Sequence, residues 1–232
     1  ALALSLASTV VDTVSWALGG ALLASLAGPA LSRPGFDGGS PATTVLAGTA
    51  VSAALIAVTN GLVLAAPASF DSFRFWAVGS LEGRGAEVAW GVAPFVAAGL
   101  VLAILLGRGL DAISLGDNTA QALGVNVRVV RTAGVLAVMA LCGAATAAIG
   151  PVAFVGLTVP HIVRRWVPAS QGSLTVFSAI GGGVLVLAAD LVGRVLVRPG
   201  ELEVGIVVAL IGGPVFVHLV RRRRGHTAGA RR

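Results

Sequence analysis

Long apolar stretches separated by short polar ones dominate this chain. Runs at 2–27, 43–66, 88–107, 132–150, 174–197 and 205–220 are each apolar enough to read as transmembrane helices. A helix needs about 20 such residues to cross a hydrocarbon layer about 30 Å thick. A seventh run, 152–163, is held between Pro151 and Pro160. It is too short for an ordinary span and reads as a short crossing helix, buried among its neighbours or broken, because irregular backbone at that depth must lie against protein or a cavity. The pattern predicts an all-α polytopic transmembrane bundle forming one domain over residues 1–232.

The polar stretches differ in kind. Residues 28–42 hold Gly28-Pro29, Pro34-Gly35, Gly38-Gly39 and Pro41, which is turn chemistry. Residues 67–88 are amphipathic, with Phe70, Phe73 and Trp76 near one face, and read as a helix lying at the interface. Residues 108–131 form a polar elbow that holds Asp117, Thr119 and Gln121 and turns at Gly124. Burial in lipid does not explain a polar helical segment between two spans. It reads as a contact surface for something outside the bilayer. Residues 221–232 are a solvated basic tail.

Composition agrees. Charged residues make up 11% of the chain against roughly 25% in soluble domains, and the mean hydropathy is +0.94. The net charge of +6 does not signal nucleic acid. All the basic residues are arginines, and they sit mostly between spans, where they set topology. With the tail inside and 152–163 counted as a crossing, Arg33, Arg108, Arg128, Arg131, Arg164, Arg165 and the tail arginines fall inside. Arg74, Arg84, Arg194 and Arg198 fall outside. That split predicts a cytoplasmic elbow and C-terminus.

Catalytic chemistry is missing from the sequence. There is no G-x-x-x-x-G-K-[ST], H-E-x-x-H or G-x-S-x-G, and His161, His218 and His226 are too scattered to propose a metal site. Cys142 reads as a small packing residue, and Asp12 as a packing or interfacial carboxylate rather than a pathway residue. Asp190 and Arg194, four apart with the acid first, are placed to pair. With Arg198, Glu201 and Glu203 they form a charged lip. Phe154, Gly156 and Thr158, in the short crossing, are candidates for lining or gating a pathway, with dry packing as the alternative.

Several motifs carry a family resemblance: LGDNTAQALGVNVRVVR, GPVAFVGLTVPHIVRR, LAADLVGRVL, ELEVGIVVALIGGPVF and, more weakly, RFWAVGSLEG. Together and in this order they resemble the permease subunits of bacterial ABC importers for iron–siderophore complexes, haem and cobalamin. The resemblance implies a type II importer permease in the cytoplasmic membrane that works as a dimer with a second copy or a paralogue. ATP and Mg would be bound by separate ATPase subunits, and an extracytoplasmic binding protein would deliver the chelate. It implies that the segment holding Asp117, Thr119, Ala120, Gln121, Leu123 and Gly124 contacts the ATPase, and that Arg194, with Arg198 beside it, docks the binding protein. The family has ten helices, and this chain holds about seven of them, which points to a fragment without the N-terminal spans. The residues alone also allow an ion-coupled secondary transporter or a non-transporting membrane scaffold.

Overall fold

The computed structural model describes residues 19–20, 41–65, 73, 76–81, 83–196 and 202–215, with only the backbone of 41–45. The first predicted span apart from residues 19–20, the loop at 28–40, residues 66–72, Arg198, Glu201 and the basic tail lie outside the described residues; the loop expected through 42 gives way to helix at Pro41. What is described is helical, with no strand. The elements are α1 (Pro41–Ala65), α2 (Ala86–Leu105), α3 (Gly107–Ser114), α4 (Asp117–Ala122), α5 (Val127–Ile149), α6 (Val155–Val163), α7 (Gln171–Leu196) and α8 (Val204–Val215). Among the described residues, α1 from Leu46, α2, α5 and α7 are long and apolar enough to cross a membrane. The all-α reading holds.

Several boundaries differ from the sequence expectation. The span expected at 88–107 ends at Leu105, and Gly107 opens α3 instead. The span expected at 132–150 starts at Val127, because Asn126 caps it: the Asn126 Oδ1 accepts the Val129 N–H at 3.2 Å. Arg128 and Arg131 therefore stand on α5, not in the elbow. The interfacial helix expected over 67–88 does not extend through 79–81 or 83–85, where Gly79 and Gly83 take φ of +82° and +67°. Pro160 lies inside α6 and does not end it. A proline there has no amide to offer the Gly156 carbonyl, so that turn lacks a regular bond. Gly212, Gly213 and Pro214 lie within α8. Cys142 is exposed, not packed.

The chain divides into two compact units, Ala1–Phe75, Arg84–Leu100 and Val135–Ala148 in one, and Trp76–Gly83, Val101–Gly134 and Ile149–Arg232 in the other. In the first, Val92, Ala144 and Ala147 form a small core with Phe95 and Ala148 against it. Gly99 lets α2 approach α5 closely: a Cβ there would sit 2.8 Å from Leu141 Cγ. Most of α1 is exposed, Leu46, Ile56 and Leu64 included. Apolar surface on all sides of a helix belongs in lipid or against other membrane helices.

The second unit has its core where α7 and α8 meet. Ala189, Val204, Val207 and Val208 are buried together, with Val152, Val155 and Val186 packed against them. The face of α6 formed by Val155, Val159 and Val163 lies on Gly181 and Gly182 of α7, where missing side chains allow close approach.

Candidate functional site

The elbow is built from α3, α4 and the turn at 123–126 that leads into α5. Helix α4 ends in a Schellman arrangement: the Val125 N–H reaches the Ala120 carbonyl and the Gly124 N–H the Gln121 carbonyl, both at 2.9 Å. Gly124 occupies the left-handed position, with φ +80°. Gly116, at φ +107°, makes the turn into α4. Ala120 is fully buried, while Thr119, Gln121, Leu123 and Gly124 are exposed and Asp117 is partly so.

Two contacts hold this elbow to α5. Arg131 Nη2 donates to both carboxylate oxygens of Asp117, at 2.8 and 2.9 Å. Gly109 of α3 faces Val130, where a Cβ would come within 2.8 Å of Cγ2. An open hollow beside α4 is lined by Gln121, Gly124, Val125, Asn126, Val127 and Arg128. The result is a small, largely exposed polar surface with two exposed leucines, Leu115 and Leu123.

At another place in the same unit, main-chain atoms hold the loops together. The Ser80 N–H donates to the Ile149 carbonyl at 2.9 Å, Gly205 N–H to Gly79 at 3.2 Å, and Leu202 N–H to Gly193 at 3.4 Å. Glycine is required at these approaches. A Cβ on Gly150, Gly205 or Gly193 would collide with the carbonyl oxygen of Trp76, Val78 or Leu202 respectively. Next to this cluster, Arg194 Nε donates to Asp190 Oδ2 at 2.9 Å, as the i,i+4 spacing predicts. Arg194 keeps 46% of its side chain exposed, so it remains accessible from outside the pair.

The candidate gate residues are placed as follows. Phe154 precedes α6 in the left-handed region at φ +67°, an uncommon conformation for a large side chain. Its Cβ occupies the space that a side chain on Gly212 would fill. Gly156 is exposed with open space around it. Thr158 is 2% exposed, and its Oγ1 has no hydrogen-bond partner among the described residues. Thr49, Thr59 and Thr175 each donate to a carbonyl three or four residues back, which is the usual way for a helix to satisfy a hydroxyl. Thr158→Val keeps the shape and removes the orphan group. It is expected to raise stability by about 1 kcal/mol, read as a higher melting temperature of the purified permease. A lower melting temperature would mean that the hydroxyl has a partner.

Sequence reasoning missed Asp111, whose Oδ1 accepts the Gln171 N–H at 2.9 Å. It also missed the Asp117–Arg131 pair and the glycine contacts. The acidic character of Asp111 in a short polar helix was the one available signal for it.

Comparison with known proteins agrees with this architecture. A profile of the FecCD transport family matches residues 1–222. The ferric enterobactin transport system permease protein FepD of Escherichia coli (strain K12) is 42% identical over 220 residues, which is 93% of this chain and 64% of that protein. The hemin transport system permease protein HmuU of Yersinia pestis is 36% identical over 200 residues, covering 86% and 59% of the two. This chain thus spans somewhat under two-thirds of the length of these relatives. A solved structure described as an inward-facing conformation of a putative metal-chelate type ABC transporter superposes with a TM-score of 0.77 at 26% identity, over 92% of this chain and 67% of that one. The chain is a helical membrane protein and belongs to the FecCD transport family.

Proposed function

We propose that this chain is part of the transmembrane permease subunit of an ATP-driven importer carrying an iron–siderophore-type chelate across the bacterial cytoplasmic membrane. One observation carries the reading. A short, mostly exposed polar helix, bounded by the positive-φ Gly116 and Gly124, lies in the sequence between membrane-length helices. Such a surface needs a partner outside the bilayer, and ATPase subunits that bind ATP and Mg suit it. The names of the relatives supply the chelate class. The arginine distribution supports a cytoplasmic elbow and C-terminus. A second permease copy or paralogue completes the translocation unit, and an extracytoplasmic binding protein docks at the lip around Arg194 and Arg198. Phe154, Gly156 and Thr158 gate the pathway, with dry packing as the alternative that the burial of Thr158 favours.

The decisive experiment uses the full-length permease with its ATPase subunits in proteoliposomes, with ATP inside and chelate-loaded binding protein outside. Accumulation of labelled iron chelate is expected to require both ATP and binding protein. Uptake driven by an ion gradient without ATPase would refute the reading.

The docking role of Arg194 has its own test. Arg194→Glu is expected to weaken binding-protein affinity by about ten-fold at low salt, mainly through slower association, with the difference shrinking as salt rises. Equal affinity and equal salt dependence would exclude Arg194 from the docking surface.

A further inference from the structure

Helix α3 is bound to the beginning of α7 by two independent contacts. The Asp111 carboxylate accepts the N–H of Gln171, sixty residues further along the chain, at 2.9 Å. Gln171 is the first residue of α7, where backbone N–H groups have no partner within their own helix. A carboxylate there also interacts favourably with the helix dipole. Gly107, at the start of α3, lies directly on the Gly172 backbone: a Cβ would come 2.8 Å from its N and 2.9 Å from its Cα. A hydroxyl completes the turn, with Ser170 Oγ accepting the Ser173 N–H at 3.4 Å.

The position of α3 gives this attachment its significance. Only Leu115 and Gly116 separate it from α4, and the two helices pack on one another. From Gln171, α7 continues as an unbroken helix of 26 residues, about 39 Å long. Its last turns hold the Asp190–Arg194 pair and meet Leu202 at Gly193. A displacement of α4 therefore reaches α3 by packing and α7 by the Asp111 bond. The other end of α7 follows as part of the same rod.

We infer that Asp111 is a positioning residue for energy coupling. It locks the elbow to the N-terminus of α7, so that a push on α4 moves α7 and not α3 alone. The inference rests on the proposed role of the elbow as the ATPase contact. Three properties of the bond suit that role. It is charge-assisted, it joins a side chain to fixed backbone, and it is short enough to transmit small movements.

The test measures ATP hydrolysis and chelate uptake in the same proteoliposomes, with the full-length permease, its ATPase subunits and its binding protein. Asp111→Ala removes the acceptor, while Asp111→Asn keeps an oxygen able to accept the Gln171 N–H. Asp111→Ala is expected to assemble and to hydrolyse ATP, but to move about ten-fold fewer chelates per ATP, the scale of one lost charge-assisted hydrogen bond. Asp111→Asn is expected to recover most of that ratio. Chelates per ATP equal to wild type in Asp111→Ala would overturn the inference. So would equal loss of assembly, hydrolysis and uptake in both variants, which would mark Asp111 as a residue of the fold alone. Wild-type vesicles without ATP-dependent uptake would overturn the proposed function and this inference with it. Coupled wild type beside equally coupled Asp111→Ala would overturn this inference alone.

Discussion

Gly150→Ala is expected to destabilise the permease by about 2 kcal/mol or more, enough to deplete it from membranes. Two penalties combine. Gly150 has φ +84°, where an L side chain costs about 1 kcal/mol or more. The added Cβ would also be driven into the Trp76 carbonyl oxygen. That obstacle is backbone and cannot rotate away. Relief requires residues 76–79 to move, and the Ser80–Ile149 hydrogen bond goes with them, for about another 1 kcal/mol. Gly134→Ala is the matched control. It is helical, with nothing within 4 Å of the new Cβ, and is expected to gain about 0.5–1 kcal/mol from helix propensity. Thermal unfolding of the two purified variants should move in opposite directions from wild type. If Gly150→Ala melts together with wild type, the close approach described here is wrong.

Gly124→Val is expected to leave the permease in the membrane and its ATPase partner active, while uptake per ATP falls on the order of ten-fold or more. The reason is conformational. Gly124 has φ +80° with open space around it, so valine meets no neighbour, and only the backbone objects. A β-branched residue leaves the left-handed region, and the Val125–Ala120 and Gly124–Gln121 hydrogen bonds that close α4 are lost with it. The elbow is mostly exposed, so the helical bundle should survive. Gly124→Asn should retain much of the activity, because asparagine tolerates that region. Coupled proteoliposomes give the measurement, and wild-type uptake by the valine variant would show that the shape of the elbow does not matter.

The spans were legible because a twenty-residue apolar run has little use except to cross a membrane. The elbow was legible because polarity between two spans stands out, and Gly124 because it ends a polar helix. The ends of the elements were not. Asn126 is an ordinary cap, but the apolar residues on either side of it hide the boundary. Contacts across the fold were invisible for a deeper reason. Asp117 and Arg131 are fourteen apart across a turn, and Asp111 and Gln171 sixty apart, so no helical spacing marks either pair. Glycines are equally silent. Gly134 and Gly205 look alike in sequence, yet one faces open space and the other a carbonyl. The left-handed Phe154 has no sequence signature at all. Only Asp190 and Arg194, on one face of one helix, could be paired by counting.

The loops around Gly79, Gly150 and Gly205 are joined by amide-to-carbonyl bonds, whereas α4 is tied to α5 by an exposed guanidinium–carboxylate pair with side-chain exposures of 62% and 45%. The two fastenings respond differently to the medium. Mobile ions weaken the second, an exposed pair, as the Debye length shrinks from about 8 Å at physiological ionic strength toward about 3 Å at 1 M, and leave the first untouched. A rise in ionic strength should therefore loosen the elbow while the glycine-lined loops keep their geometry. The protein would have one fastening set by chain shape alone and another that its electrolyte can tune.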